Sequence, residues 1–124
     1  MSARGALLLG AMLMFGAVAL GAFGAHALKD RLAPDLAAVW QTAVQYHAWH
    51  ALALLGVGLY LGQVPTATTA GIAAWLFVAG IALFSGSLYA LALTGTRGLG
   101  AITPFGGVAF LAGWAAFAWA VWRG

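Results

Sequence analysis

The sequence predicts an all-α membrane protein: four transmembrane helices in two antiparallel hairpins, with a short surface extension at the start of the second helix. Three observations carry this expectation. The 124-residue chain is 65% apolar and only 6% charged, a balance outside the range of soluble globular domains. Its charged side chains, Arg4, Lys29, Asp30, Arg31, Asp35, Arg97 and Arg123, leave gaps that each hold a span of about 20 apolar residues. Prolines and polar or glycine-rich turns fall between those gaps.

The first span, about residues 5–26, follows Arg4 and carries no charge. Its end, Gly24-Ala25-His26-Ala27, imitates a signal-peptidase site. The remainder of the chain is equally hydrophobic, so a retained transmembrane helix is expected instead of a cleaved leader. Pro34 then suits the first position of a helix, where its missing N–H costs nothing, and Asp35 suits the positive end of that helix's dipole. Nothing but isolated glycines interrupts the stretch from Pro34 to Gly62. At about 1.5 Å per residue it would be roughly 43 Å long, more than a hydrocarbon core of about 30 Å. Its opening turns therefore project from the membrane or lie along it, and the span proper is about 40–62. Gln63 to Thr69 forms a turn around Pro65. The third span covers about 70–94 and ends in Gly95-Thr96-Arg97-Gly98-Leu99-Gly100. The fourth, about 103–122, opens on Thr103 as N-cap and Pro104 at the first helical position.

Span order alone places the first and third connections on one membrane face, here called B, and both termini with the Gln63 turn on the other. The intramembrane polar residues then converge. His26 ends the first span at B. His47 and His50 lie roughly 6 and 10 Å below B in the second. Ser85, Ser87 and Tyr89 close the third, and Thr103 opens the fourth. Helical phase puts His47 on a stripe with Leu36, Trp40, Ala43, Ala51, Leu54, Gly58 and Leu61. Gly58-x-x-x-Gly62 is the small-residue pattern of closely packed membrane helices, so this stripe is expected to face protein. His50 and Tyr46 flank it, while Gln45 and Trp49 point towards headgroups. In the third span Ala74, Val78, Ala82, Gly86 and Ala90 form a second small stripe, expected to face protein as well.

Four ordered motifs are shared with a known family: Gly21-Ala22-Phe23-Gly24-Ala25-His26-Ala27-Leu28, Tyr46-His47-Ala48-Trp49-His50-Ala51-Leu52-Ala53-Leu54, Leu83-Phe84-Ser85-Gly86-Ser87-Leu88-Tyr89-Ala90-Leu91, and Ile102-Thr103-Pro104-Phe105-Gly106-Gly107, followed by Gly113-Trp114. In this order the chain resembles the YgdD-like family of small bacterial inner-membrane proteins, a domain of unknown function with eukaryotic relatives among small transmembrane proteins. The resemblance covers nearly the whole chain. It implies four transmembrane helices in the inner membrane and no established activity.

Two readings of the polar residues stand side by side. In the sharper one, His26, Tyr46, His47, His50, Ser85, Ser87 and Tyr89 form a ligand or polar site, with His26, His47 and His50 as candidate metal ligands, since imidazole binds zinc, copper, iron and haem without a thiol partner. In the plainer one, the imidazoles and hydroxyls hydrogen-bond between helices and tie the bundle together. No glutamate or cysteine is present and Asp30 and Asp35 are the only carboxylates, so a hydrolytic metal site and thiol chemistry are not expected. Ser85-Gly86-Ser87 lacks the strand-turn-helix setting of a nucleophile. Gly95 to Gly100 and Gly106-Gly107 lack the lysine and strand of a phosphate loop. The tryptophans read mostly as an aromatic belt: Trp40 and Trp49 near B, Trp75, Trp119 and Trp122 near the other face, Trp114 deeper.

The function expected from sequence is non-enzymatic: a multi-pass inner-membrane protein that binds or helps move a small ligand, ion or proton at the polar site. A transport role would require a homo-oligomer, since four short helices leave little room for an aqueous path. The alternatives are a structural or accessory subunit of a larger membrane complex, and a redox subunit holding metal, haem or quinone. No particular cofactor is implied. The bilayer is the one certain partner, and scattered basic residues, net charge +3, make no nucleic-acid surface. Lys29, Arg31 and Arg97 at B, against Arg4 and Arg123 opposite, favour B in the cytoplasm and the termini outside it.

Overall fold

A computed structural model of the chain describes residues 1–124. It is all-helical and contains no strand. Helix α1 is Ala3–His26, begun by Ser2, whose Oγ accepts from the Gly5 N–H at 3.0 Å. Helix α2 is Pro34–Gln63 and starts on its proline, as the sequence predicts. Helices α3, Thr68–Gly80, and α4, Gly86–Thr94, are joined by one π-helical turn, Ile81–Ser85, into a continuous rod. Gly95, at φ +70°, ends that rod in the left-handed conformation that glycine adopts without strain. A 3₁₀ turn, Arg97–Ala101, leads into helix α5, Thr103–Arg123.

Three of the four rods, Ala3–His26, Thr68–Thr94 and Arg97–Arg123, are long and apolar enough to cross a membrane. The second, α2, is the longest helix at 30 residues but falls short in apolarity, because Gln45, Tyr46, His47, Trp49 and His50 dilute its hydrocarbon. It is also the helix the others surround. α1, the α3–α4 rod and α5 all lay side chains on it, and ten of its residues are buried, against three of α1.

The expected hairpins form through glycine notches. Along α1 and α2, Gly10 abuts Leu55, Gly58 abuts Leu7 and Gly24 abuts the Trp40 indole, numbers rising on one helix as they fall on the other. Along α3 and α5 the same antiparallel order joins Phe77 to Gly113, Gly80 to Phe110 and Phe84 to Gly106. A Cβ built on Gly106 would lie 2.3 Å from the Phe84 backbone nitrogen, so only glycine permits this approach. Gly62, in contrast, is exposed with nothing near it. The expected Gly58–Gly62 pair therefore works through Gly58 alone.

The main core joins Ala6 to Leu54, Val57 and Leu61 of α2, to Ala74, Phe77 and Ile81, and to Phe110 of α5. A smaller cluster of Leu28, Trp40 and Ala92 closes the B end. On the surface at that end Arg97 pairs with Asp35 at 2.5 Å, which puts the first and third connections on one face, as span order requires. The guanidinium hydrogen bond holds the Asp35 carboxyl below the usual carboxylate value.

One phase prediction is overturned on the α3–α4 rod. Of the stripe Ala74, Val78, Ala82, Gly86 and Ala90, only Ala74 is buried and Ala82 is exposed. The face towards α2 lies one position earlier, at Phe77, Ile81, Ser85 and Tyr89: steps of four from Ala74 outrun the 3.6-residue turn before the π turn is reached, and the extra residue of the π turn then keeps Ser85 and Tyr89 on that face. Trp40 is a second correction. It is 3% exposed, donates Nε1–H to the Leu20 carbonyl at 3.0 Å and packs against Tyr89, so it locks α1 to α2 instead of meeting headgroups. Trp49, Trp75, Trp119 and Trp122 are exposed, as a belt requires.

Candidate functional site

The stripe along α2 delivers His47 and His50 to the interior, each 5% exposed, while Gln45 and Trp49 face outwards as helical phase predicts. The two imidazoles lie three residues apart and address different neighbours.

His50 is fully committed. Its Nδ1 donates to the Tyr46 carbonyl, one turn back, at 2.7 Å, and its Nε2 accepts from the Trp114 indole of α5 at 3.1 Å. Indole N–H is a donor only, which fixes His50 as the neutral Nδ1–H tautomer. Its ring also stacks on Phe110 at 3.5 Å between centroids, 11° from parallel. Sequence reasoning missed Trp114 as its partner; the signal available was a tryptophan placed away from both membrane faces, where its N–H needs an acceptor.

His47 points the other way, towards α4 and α1. Its Nδ1 shares a 2.9 Å hydrogen bond with the Tyr89 hydroxyl. Its Nε2 is buried and has no partner, although the Leu13 carbonyl of α1 lies near the ring. If Tyr89 donates, Nε2–H faces the Leu13 carbonyl without closing a hydrogen bond; if Nδ1 donates, Nε2 is a stranded acceptor. Either state leaves one dry polar atom, a cost of about 1–3 kcal/mol.

The hydroxyls bind within the chain. Ser85 Oγ, wholly buried, donates to the Ala43 carbonyl of α2 at 2.7 Å. Ser87 Oγ donates to the Phe84 carbonyl at 2.9 Å and meets Thr103 Oγ1 at 2.7 Å. Thr103 is thus the first residue of α5, not its N-cap, and spends its hydroxyl between helices. Tyr46 is half-buried and packs on Phe84 at 4.4 Å.

The three-histidine ligand cluster does not form. His26 is exposed at the end of α1, His47 faces Tyr89, and His50 faces Trp114; no three His, Asp or Glu side chains gather where one metal ion could be held. The physical reason is the three-residue spacing, about 60° apart around α2, with a different helix on each side. Of the seven candidate residues, His47 and Tyr89 meet directly, Tyr46 and His50 share a turn, Ser85 and Ser87 lock the rod to its neighbours, and His26 stands apart.

Comparison with known proteins places this arrangement. Residues 20–107 match the family described as "Protein of unknown function (DUF423)". The UPF0382 membrane protein YwdK of Bacillus subtilis is 50% identical over 111 residues, covering 87% of this chain and 88% of its own. A UPF0382 membrane protein of Staphylococcus epidermidis is 49% identical over 108 residues, 87% of each chain. This chain belongs to the DUF423 family. It is therefore a membrane protein of a family whose activity is uncharacterised, in agreement with the resemblance carried by its four motifs. No solved structure matches it. The stretch matching the DUF423 family contains all seven candidate residues but stops short of Trp114, so the His50–Trp114 lock joins the family segment to the end of α5.

Proposed function

We propose that this DUF423 protein is a non-enzymatic, four-span inner-membrane protein in which most polar side chains lock the bundle and one, His47, is kept for a ligand, ion or proton. The observation that carries this reading is the division of labour. His50, Ser85, Ser87, Trp40 and Trp114 are each spent on a hydrogen bond to another part of the chain, while His47 Nε2 is the buried side-chain polar atom left without one. A protein that needed only packing would place an apolar ring there, since intramembrane ionisable groups are costly and lean towards function.

Connectivity supports four spans. α1 is long and apolar enough to cross and ends near the Asp35–Arg97 pair, whereas α3 begins at the opposite end of the bundle. On this reading α2 carries the chain across, shielded from lipid by its neighbours. The bias of basic residues, Lys29, Arg31 and Arg97 against Arg4 and Arg123, supports the pair in the cytoplasm and the termini outside. An alkaline phosphatase fusion after Gly124 tests that, being active if the terminus is external and silent if it is not. An ion-moving version of the reading requires a homo-oligomer, which size measurement in mild detergent decides.

His47→Phe tests the central claim. The expected result is a bundle that melts no lower than wild type and loses whatever molecule or ion copurifies with it. Equal composition of the two preparations, with a more stable variant, refutes the ligand reading. The second reading, an accessory subunit of a larger complex, is favoured by the number of interhelical hydrogen bonds, and recovery of a stoichiometric partner protein in native purification would support it.

A further inference from the structure

The recess between α2 and α5 is a second site, separate from His47. It has a volume of about 570 Å³, within the range of small-molecule sites. Six rings line it: Tyr46, Trp49, His50, Phe84, Phe110 and Trp114. We propose that it binds a planar, carbonyl-bearing ring compound dissolved in the bilayer, of the quinone class. Three features select that chemistry. The mouth lies beside Val108 and Leu111, 64% and 73% exposed on the lipid-facing side of α5, so the occupant enters from hydrocarbon. Tyr46, Trp49, Phe84 and Trp114 keep open ring surface at the recess, over a floor of His50 and Phe110 stacked 11° from parallel, a lining suited to a ring more than to a saturated chain. The polar groups then narrow the choice. Both His50 nitrogens and the Trp114 N–H are engaged with one another and with the Tyr46 carbonyl, whereas the Tyr46 hydroxyl has no partner in the chain and is not sealed inside it. An unpartnered hydroxyl on a ring that lines an apolar recess calls for an acceptor. A ring carbonyl supplies it, with Tyr46 donating.

Gly107 gives a clean block. It lines the recess, and a Cβ there meets only Phe84 Cδ2, at 4.0 Å; leucine therefore fits the backbone while its side chain fills the space. The full chain in phosphatidylethanolamine–phosphatidylglycerol nanodiscs is titrated with decylubiquinone, with decylbenzene as the control lacking carbonyls, and tryptophan fluorescence reads occupancy through Trp49 and Trp114. Saturable quenching by the quinone alone is expected, about tenfold weaker in Tyr46→Phe and abolished in Gly107→Leu, with helical circular dichroism unchanged in both. Quenching that is linear, equal for Gly107→Leu, or unaltered in Tyr46→Phe overturns the proposal. His47→Phe should bind the quinone as wild type does, so the recess and the His47 reading stand or fall separately.

Discussion

Removing the His50–Trp114 hydrogen bond offers the sharpest check on the locking role assigned to the polar residues. The perturbation is a double-mutant cycle of His50→Phe and Trp114→Phe, both of which keep a ring in place. Trp114→Phe strands His50 Nε2, which sits on a residue only 5% exposed, and a dry acceptor costs about 1–3 kcal/mol. His50→Phe strands the indole N–H, but Trp114 is 45% exposed at the rim of the recess, so that group can find water or a lipid carbonyl and the cost belongs near the bottom of the same range, about 1 kcal/mol. The Tyr46 carbonyl loses its side-chain donor and keeps its helical one. Hydrogen bonds between membrane helices couple by about 0.6 kcal/mol on average and at most about 1.7 kcal/mol; a 3.1 Å bond to a buried acceptor falls in the upper half of that interval. The assay is equilibrium unfolding in mixed micelles with increasing dodecyl sulfate. Trp114→Phe should be the more damaging single change, and the double variant should recover about 1 kcal/mol of the summed losses. Additivity within about 0.3 kcal/mol would refute the claim that this bond, and not ring packing alone, ties α2 to α5.

Other consequences follow from particular contacts. Gly106→Ala places a Cβ 2.3 Å from the Phe84 nitrogen and should lower the micelle unfolding midpoint sharply, while Gly62→Ala, with open space around it, should leave the unfolding free energy unchanged or raise it by up to about 1 kcal/mol. Ser85→Ala removes the 2.7 Å bond to the Ala43 carbonyl and should cost about 1 kcal/mol in the same assay, with Ser85→Thr, too large for a wholly buried position, no better. The Asp35 carboxyl is held low by its hydrogen bond from Arg97. Its contribution is therefore complete above the unfolded Asp value of about 3.9 and disappears as pH falls through the lower folded value. Asp35→Asn should abolish that acid-side loss while leaving neutral stability nearly unaltered, because the pair is exposed.

The all-helical order of rods and turns was legible because apolar run length, charge placement and proline positions are local signals. Pro34, Pro104 and Gly95 punctuate the chain where the structure does, and the face of α2 from Trp40 to Leu61 followed from a 100° count alone. The phase failed on the third rod, where steps of four from Ala74 outrun the 3.6-residue turn and the π turn at Ile81–Ser85 shifts the later residues again; no proline or charge marks that turn in the sequence. It failed in a different way for the histidines. Periodicity places His47 and His50 on the protein side of one helix, but which helix each ring meets depends on how α1, α4 and α5 are arranged around α2. Trp40 shows the same limit: near the membrane surface by number, it is buried because Gly24 opens a slot for its indole on the neighbouring helix.

The relation between apolarity and burial on α2 connects these points. A helix facing lipid must present hydrocarbon around most of its circumference, and α1, with three buried residues, does. α2 has ten, so protein, not lipid, is the solvent for its polar side chains, and glycine notches at Gly10 and Gly58 bring that solvent close. Lower apolarity is then the mark of the central helix. It also locates the chemistry, since an imidazole can be held in a membrane only where a neighbouring helix offers Tyr89 or Trp114 to meet it. His50 has both nitrogens met. His47 has one met and one open, and the tolerance of that open nitrogen in so enclosed a place is the reason to look for its ligand first.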